Sequence, residues 1–134
     1  MARLAATCLA LGLACSTFGQ GEELVYVKHI EVPEYGRMAR LARLDGKVTL
    51  SITIDAGGKV IQAEGTGAPR ILCEQSEKNV RLWTFTKPTH APVAQTIVYE
   101  YVLEGPAAED YYSHATFDLP DRVKISSRVP KSGG

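Results

Sequence analysis

The chain has 134 residues, enough for one domain with extensions, and its Lys+Arg count of 15 equals its Asp+Glu count, for a net charge of zero. A balanced chain has no basic field to hold nucleic acid, and an apolar fraction of 45% is that of a folded globular protein rather than a disordered one.

In chain order, Arg3 precedes an apolar run from Leu4 to Ala14, and small residues at Thr17 and Gly19 follow. This order predicts a secretory signal over 1–19, cleaved before Gln20, and the run is shorter than the ~20 residues a membrane span needs. Lipidation at Cys15 is the competing outcome. It is disfavoured because the nearest leucine, Leu13, stands two residues before the cysteine instead of three. The expected product is exported. Cys8 and Cys15 belong to the signal, which leaves Cys73 alone and excludes an internal disulfide in the mature chain.

Leu24–Val27 is a short β-prone stretch closed by Pro33. Tyr35–Leu44 predicts a helix with Met38, Leu41 and Ala42 on its buried face, with Arg37, Arg40 and Arg43 in solvent. Gly46 stands where a helix end calls for positive φ. From Gly46 the pattern switches to period two. Val48, Leu50, Ile52 and Ile54 alternate with polar residues, and Asp55-Ala56-Gly57-Gly58 turns the chain into a second strand at Val60. Asp55 has the part of a turn residue that bonds nearby backbone.

Ile71 to about Trp83 predicts a second helix, with Leu72, Ser76, Val80 and Trp83 on its apolar stripe and Cys73 beside it. Thr86–Ala94 reads as a loop. Thr96–Glu104 reads as a strand with Ile97, Tyr99, Tyr101 and Leu103 on one face. A linker over 105–110 precedes a last strand between Asp121 and Ser127, marked by Val123 and Ile125. The order predicts an α+β domain: a small antiparallel sheet of three to four strands with two helices packed on one face. The division follows as signal 1–19, domain 20–105 and C-terminal extension 106–134.

Little in the chain points to catalysis. His29, His90 and His114 are solitary, without a second ligand at metal spacing. Cys73 and His90 form the one conceivable nucleophile–base pair, but Cys73 borders an apolar helix stripe, where cysteine packs as a small hydrophobe. Gly57-Gly58 lacks the helix and Lys–hydroxyl pair of a phosphate loop. No catalytic residue, metal site or cofactor is expected.

Taken together, Pro33-Glu34-Tyr35, Ala39, Gly46-Lys47-Val48, the alternating Leu50–Asp55, Gly58-Lys59-Val60 and Val80-Arg81-Leu82-Trp83-Thr84-Phe85 resemble the TonB C-terminal domain over about Ile30 to Glu104. Two positions depart from that family: Gly36 stands where it has proline after the tyrosine, and Ser76 where it has alanine. The resemblance implies a periplasmic module that binds another envelope protein, a TonB-dependent outer-membrane transporter among them, by pairing a partner segment with a sheet edge. It places that edge on Thr96, Ile97, Val98, Tyr99, Glu100, Tyr101 and Val102, with Tyr35 near it. No second apolar run and no proline-rich spacer precede the domain, so the expectation is a binding module that does not itself transduce energy. The alternative is a structural or self-associating domain, a homodimer included, whose edge is blocked by its own tail.

Overall fold

A computed structural model describes residues 25–107 and 113–131. The expected signal, its cleavage point, Cys15 and part of the linker lie outside these residues. The elements are β1 (Val27–His29), α1 (Arg37–Leu41), β2 (Gly46–Ile54), β3 (Val60–Thr66), α2 (Arg70–Val80), β4 (Thr84–Phe85), β5 (Val93–Leu103), β6 (Ser113–Asp118) and β7 (Arg122–Ser127). The main sheet has five strands in the order β3-β2-β5-β7-β6, and β1 pairs with β4 in a small second sheet. The architecture is α+β, as expected. The sheet is larger than three to four strands and is mixed, because β7 runs parallel to β5 while the other neighbours are antiparallel.

The β2–β3 hairpin follows from its alternation. Val48, Leu50, Ile52 and Ile54 are buried, and the intervening side chains point away from the core. At the turn, Asp55 Oδ1 accepts the N–H groups of Gly57 and Lys59, both at 2.9 Å. Gly58 holds φ +82°, and a Cβ there would lie 2.1 Å from the Phe85 carbonyl oxygen. Phe85 N–H in turn donates to Gly58 C=O at 2.8 Å. Glycine is required at this crossing both for its φ and for the closeness of two backbones.

Helix α1 differs from its predicted face. Met38 is 68% exposed, whereas Ala39 and Arg40 are buried. The buried arginine is stabilised by carbonyls: Nε donates to Tyr35 C=O at 3.1 Å and Nη1 to Arg128 C=O at 3.4 Å. The helix closes with Arg43 N–H bonded to Arg40 C=O and Leu44 N–H to Ala39 C=O, the paired bonds of a Schellman end. The helix end itself is turned by Arg43, at φ +55°; Gly46 does hold a positive φ, +140°, but as the first residue of β2. Helix α2 buries Leu72, Cys73, Ser76 and Val80 and packs on β2 and β3. Trp83 lies beyond its end, 1% exposed, with ring centroids 6.1–6.3 Å from those of Phe85, Tyr99 and Phe117.

The C-terminal extension continues this core. Val123 and Ile125 of β7 are buried, and Phe117 of β6 packs on Trp83. Burying each β-branched side chain contributes about 1.5–3 kcal/mol, so the extension is held by more than its ladder hydrogen bonds.

Candidate functional site

The seven residues Thr96–Val102 all lie on β5, but β5 is the third of five strands. One side pairs with β2 and the other with β7, in the register Val98↔Arg122 through Leu103↔Ser127. Val98 N–H donates to Asp121 C=O and Glu104 N–H to Ser127 C=O, both at 2.8 Å. The expectation that this strand is the open edge is therefore corrected: the chain's own β7 fills it, the arrangement foreseen in the blocked-edge alternative. Ile97, Tyr99 and Tyr101 point into the core, and Thr96, Val98, Glu100 and Val102 line the opposite face.

Tyr35 is also internal. It is fully buried, its ring meets Tyr101 edge-on at 5.2 Å, and its hydroxyl donates to Leu44 C=O. Its N–H donates to Ser113 Oγ at 3.0 Å, so it ties β6 to the core from within. The core also carries a connected polar network centred on Asn79. Tyr99 Oη donates to Asn79 Oδ1 at 2.6 Å. Trp83 Nε1 donates to the same oxygen at 3.1 Å and to Glu31 C=O at 3.2 Å. Burial pushes the Tyr35 and Tyr99 hydroxyls well above the ordinary tyrosine range. It pushes Tyr101 up to about 12, against a smaller lowering because the neighbouring Ser76 hydroxyl can turn to donate to the tyrosinate once it forms.

With β5 interior, the free sides of the main sheet belong to β3 and β6. They differ. The outer side of β3 is guarded by α2 and the residue after it: Gly65 N–H donates to Glu77 Oε2 at 2.8 Å, and Arg81 Nη2 donates to Ala63 C=O at 3.3 Å. Charged side chains thus occupy backbone groups that another strand would need.

Among the described residues the outer side of β6 has no such guard. The bonds from β5 to the carbonyls of Asp121 and Ser127 set the parity of β7, so Arg122, Lys124 and Ser126 turn their backbone groups toward β6. Their partners are Asp118, Thr116 and His114, which leaves the N–H and C=O groups of Ser113, Ala115 and Phe117 directed outward. No backbone hydrogen bond reaches these groups from another element among the described residues. The strand Ser-His-Ala-Thr-Phe-Asp contains no lysine, arginine or proline, the usual edge protectors. Sequence reasoning missed β6. Its signal was the alternation of exposed His114, Thr116 and Asp118 with half-buried Ala115 and Phe117.

No group of three or more His, Cys, Asp or Glu side chains that could hold a metal converges among the described residues. Cys73 is buried and its thiol points at Ala68 C=O, 3.4 Å away, as a packed core residue. No helix among the described residues is long and apolar enough to cross a membrane.

Comparison with known proteins bears on this geometry. A family model for the Gram-negative bacterial TonB protein C-terminal region matches residues 31–103. The comparison with curated proteins returned no match. The matched span ends at the last residue of β5, so β6 and β7 lie beyond it. With more than half of its length covered, the chain belongs to the family of TonB C-terminal domains, which are interaction modules of the cell envelope and not enzymes.

Proposed function

We propose that this chain is a periplasmic binding module that adds an extended segment of another envelope protein to its sheet at β6. A periplasm-facing segment of an outer-membrane transporter is the partner class. The observation carrying this reading is the row of outward backbone groups on Ser113, Ala115 and Phe117, on an edge that no guard covers among the described residues. A strand added there gains ladder hydrogen bonds with little side-chain demand, which is how β-augmentation gives affinity. Titration of the whole chain with such segments, followed by amide exchange, tests it. Binding should protect the amides of Ala115 and Phe117, and Ala115→Pro should abolish capture, since proline removes an outward donor and no internal ladder bond. Capture that leaves both amides exchanging freely excludes β6 as the receptor.

A second reading is favoured by the parallel register of β7 on β5: a partner strand displaces β7 and pairs with Thr96–Val102. The register partners Val102 and Ser126 allow a reversible lock, Val102→Cys with Ser126→Cys. Binding lost on oxidation and regained on reduction supports displacement. Binding indifferent to the lock leaves β6 as the receiving edge.

A further inference from the structure

We propose that the open face of the main sheet holds a pocket for the headgroup of an ethanolamine phospholipid, through which the protein docks on a membrane surface. The pocket is a hollow of about 270 Å³ over β5, β7 and β6. Sites for drug-sized molecules run to roughly 300–1,000 Å³, so this one suits a small polar group.

The pairing registers fix its charges. Arg122 and Lys124 lie two residues apart on β7 and share the face directed away from the core. Glu100 of β5 stands opposite Lys124 on one side and opposite Lys47 of β2 on the other. Arg122 lies between Val98 of β5 and Asp118 of β6. None of these charged side chains is in an ion pair among the described residues. Pairs they form in water are weak and give way to a ligand.

The order of these groups selects the ligand. A phosphate over Arg122 and Lys124 accepts charge-assisted hydrogen bonds from both. Strand β5 lies one spacing away, about 4.8 Å, which is close to the span from phosphorus to nitrogen in phosphoethanolamine. The ethylene carbons then cross Val98, and the ammonium donates to Glu100. A headgroup with negative charge alone leaves Glu100 opposed, and a trimethylammonium has no N–H to give it. The membrane source follows from Leu119, which comes directly after Asp118 in the β6–β7 turn and is 47% exposed. An apolar side chain beside a headgroup site gains by entering the acyl boundary.

Flotation of the exported chain, from Gln20 onward, with vesicles tests this. Vesicles of equal phosphatidylethanolamine and phosphatidylcholine should carry the protein, and vesicles of phosphatidylcholine alone should not. Glu100→Gln and Lys124→Gln should each weaken binding roughly tenfold. Leu119→Ser should weaken vesicle binding yet leave intact the amide shifts that free phosphoethanolamine induces at Arg122 and Lys124. Circular dichroism and Trp83 fluorescence establish that the variants are folded. Equal binding to both vesicle types, or binding only where phosphatidylglycerol replaces phosphatidylethanolamine, overturns the proposal. Amide shifts with free phosphoethanolamine but no flotation overturn the membrane source and assign the pocket to a soluble compound. Capture of a transporter segment at β6 is read separately, by the Ala115→Pro variant, so neither result decides the other.

Discussion

Ser76 Oγ and Tyr101 Oη lie 2.9 Å apart in the core, with 0% and 1% of their surfaces exposed. Ser76 already donates its proton to Leu72 C=O at 2.8 Å, so the tyrosine donates to the serine. This explains the departure at residue 76: a tyrosine hydroxyl buried here needs an acceptor, and alanine has none. Ser76→Ala should destabilise the fold by about 1–3 kcal/mol, the cost of a buried donor left unmade. Adding Tyr101→Phe should recover most of it, because removing both partners is nearly neutral. A double-mutant cycle by urea denaturation measures the coupling, and purely additive losses would show that the bond contributes nothing.

Trp83 joins the end of α2 to β4, β5 and β6 through its ring neighbours. Trp83→Ala should cost about 3–5 kcal/mol and also strand the Asn79 and Glu31 acceptors. Trp83→Phe keeps much of the packing and isolates the indole bonds. Thermal melts of the two variants should therefore separate, the alanine variant lower.

Arg40 ties α1 to the residue that follows β7. Arg40→Met preserves much of its volume but withdraws donors from Tyr35 C=O and Arg128 C=O. A loss of about 1–3 kcal/mol is expected, with faster amide exchange concentrated at the end of β7. Uniform acceleration across β2 and β3 instead would mean that the arginine acts only through global stability.

Stability should fall in alkali. The folded Tyr101 titrates at about 12 against an ordinary 10, because burial penalises the tyrosinate, and Tyr35 and Tyr99 are displaced in the same direction. With folded values above unfolded ones, the unfolded chain loses protons first. The contribution is complete below pH 10 and is lost as pH rises toward 12, the folded value of Tyr101. Tyrosinate absorbance and circular dichroism should change together in that window. Ionisation of all six tyrosines near 10 with the fold intact would contradict this.

The sequence was most legible where side-chain pattern alone decides structure. The period of two from Val48 to Ile54, the Asp55 turn and the α2 stripe each needed only neighbours along the chain. Legibility failed where distant backbone decides. Arg40 looks solvated until Tyr35 and Arg128 carbonyls are brought to it, and Met38 looks buried until those bonds fix the helix roll. At the candidate edge, Val123 and Ile125 signalled β7. Nothing local said that β7 would lie against β5 in parallel, or that a strand with one large apolar residue, Phe117, would end the sheet.

The placement of β7 also sets an order of events during biosynthesis. Among the described strands it is the last to emerge, yet it sits inside the sheet between two earlier ones. Until Asp121 and Ser127 are available, the N–H groups of Val98 on β5 and of Glu104 just after it have no acceptor, beside the unfinished core of Ile97, Tyr99 and Tyr101. A product cut short in its final quarter therefore carries an adhesive strand that the finished chain conceals, and should be aggregated or degraded rather than tolerated. Strand β7 is thus the cover that such a truncated product lacks.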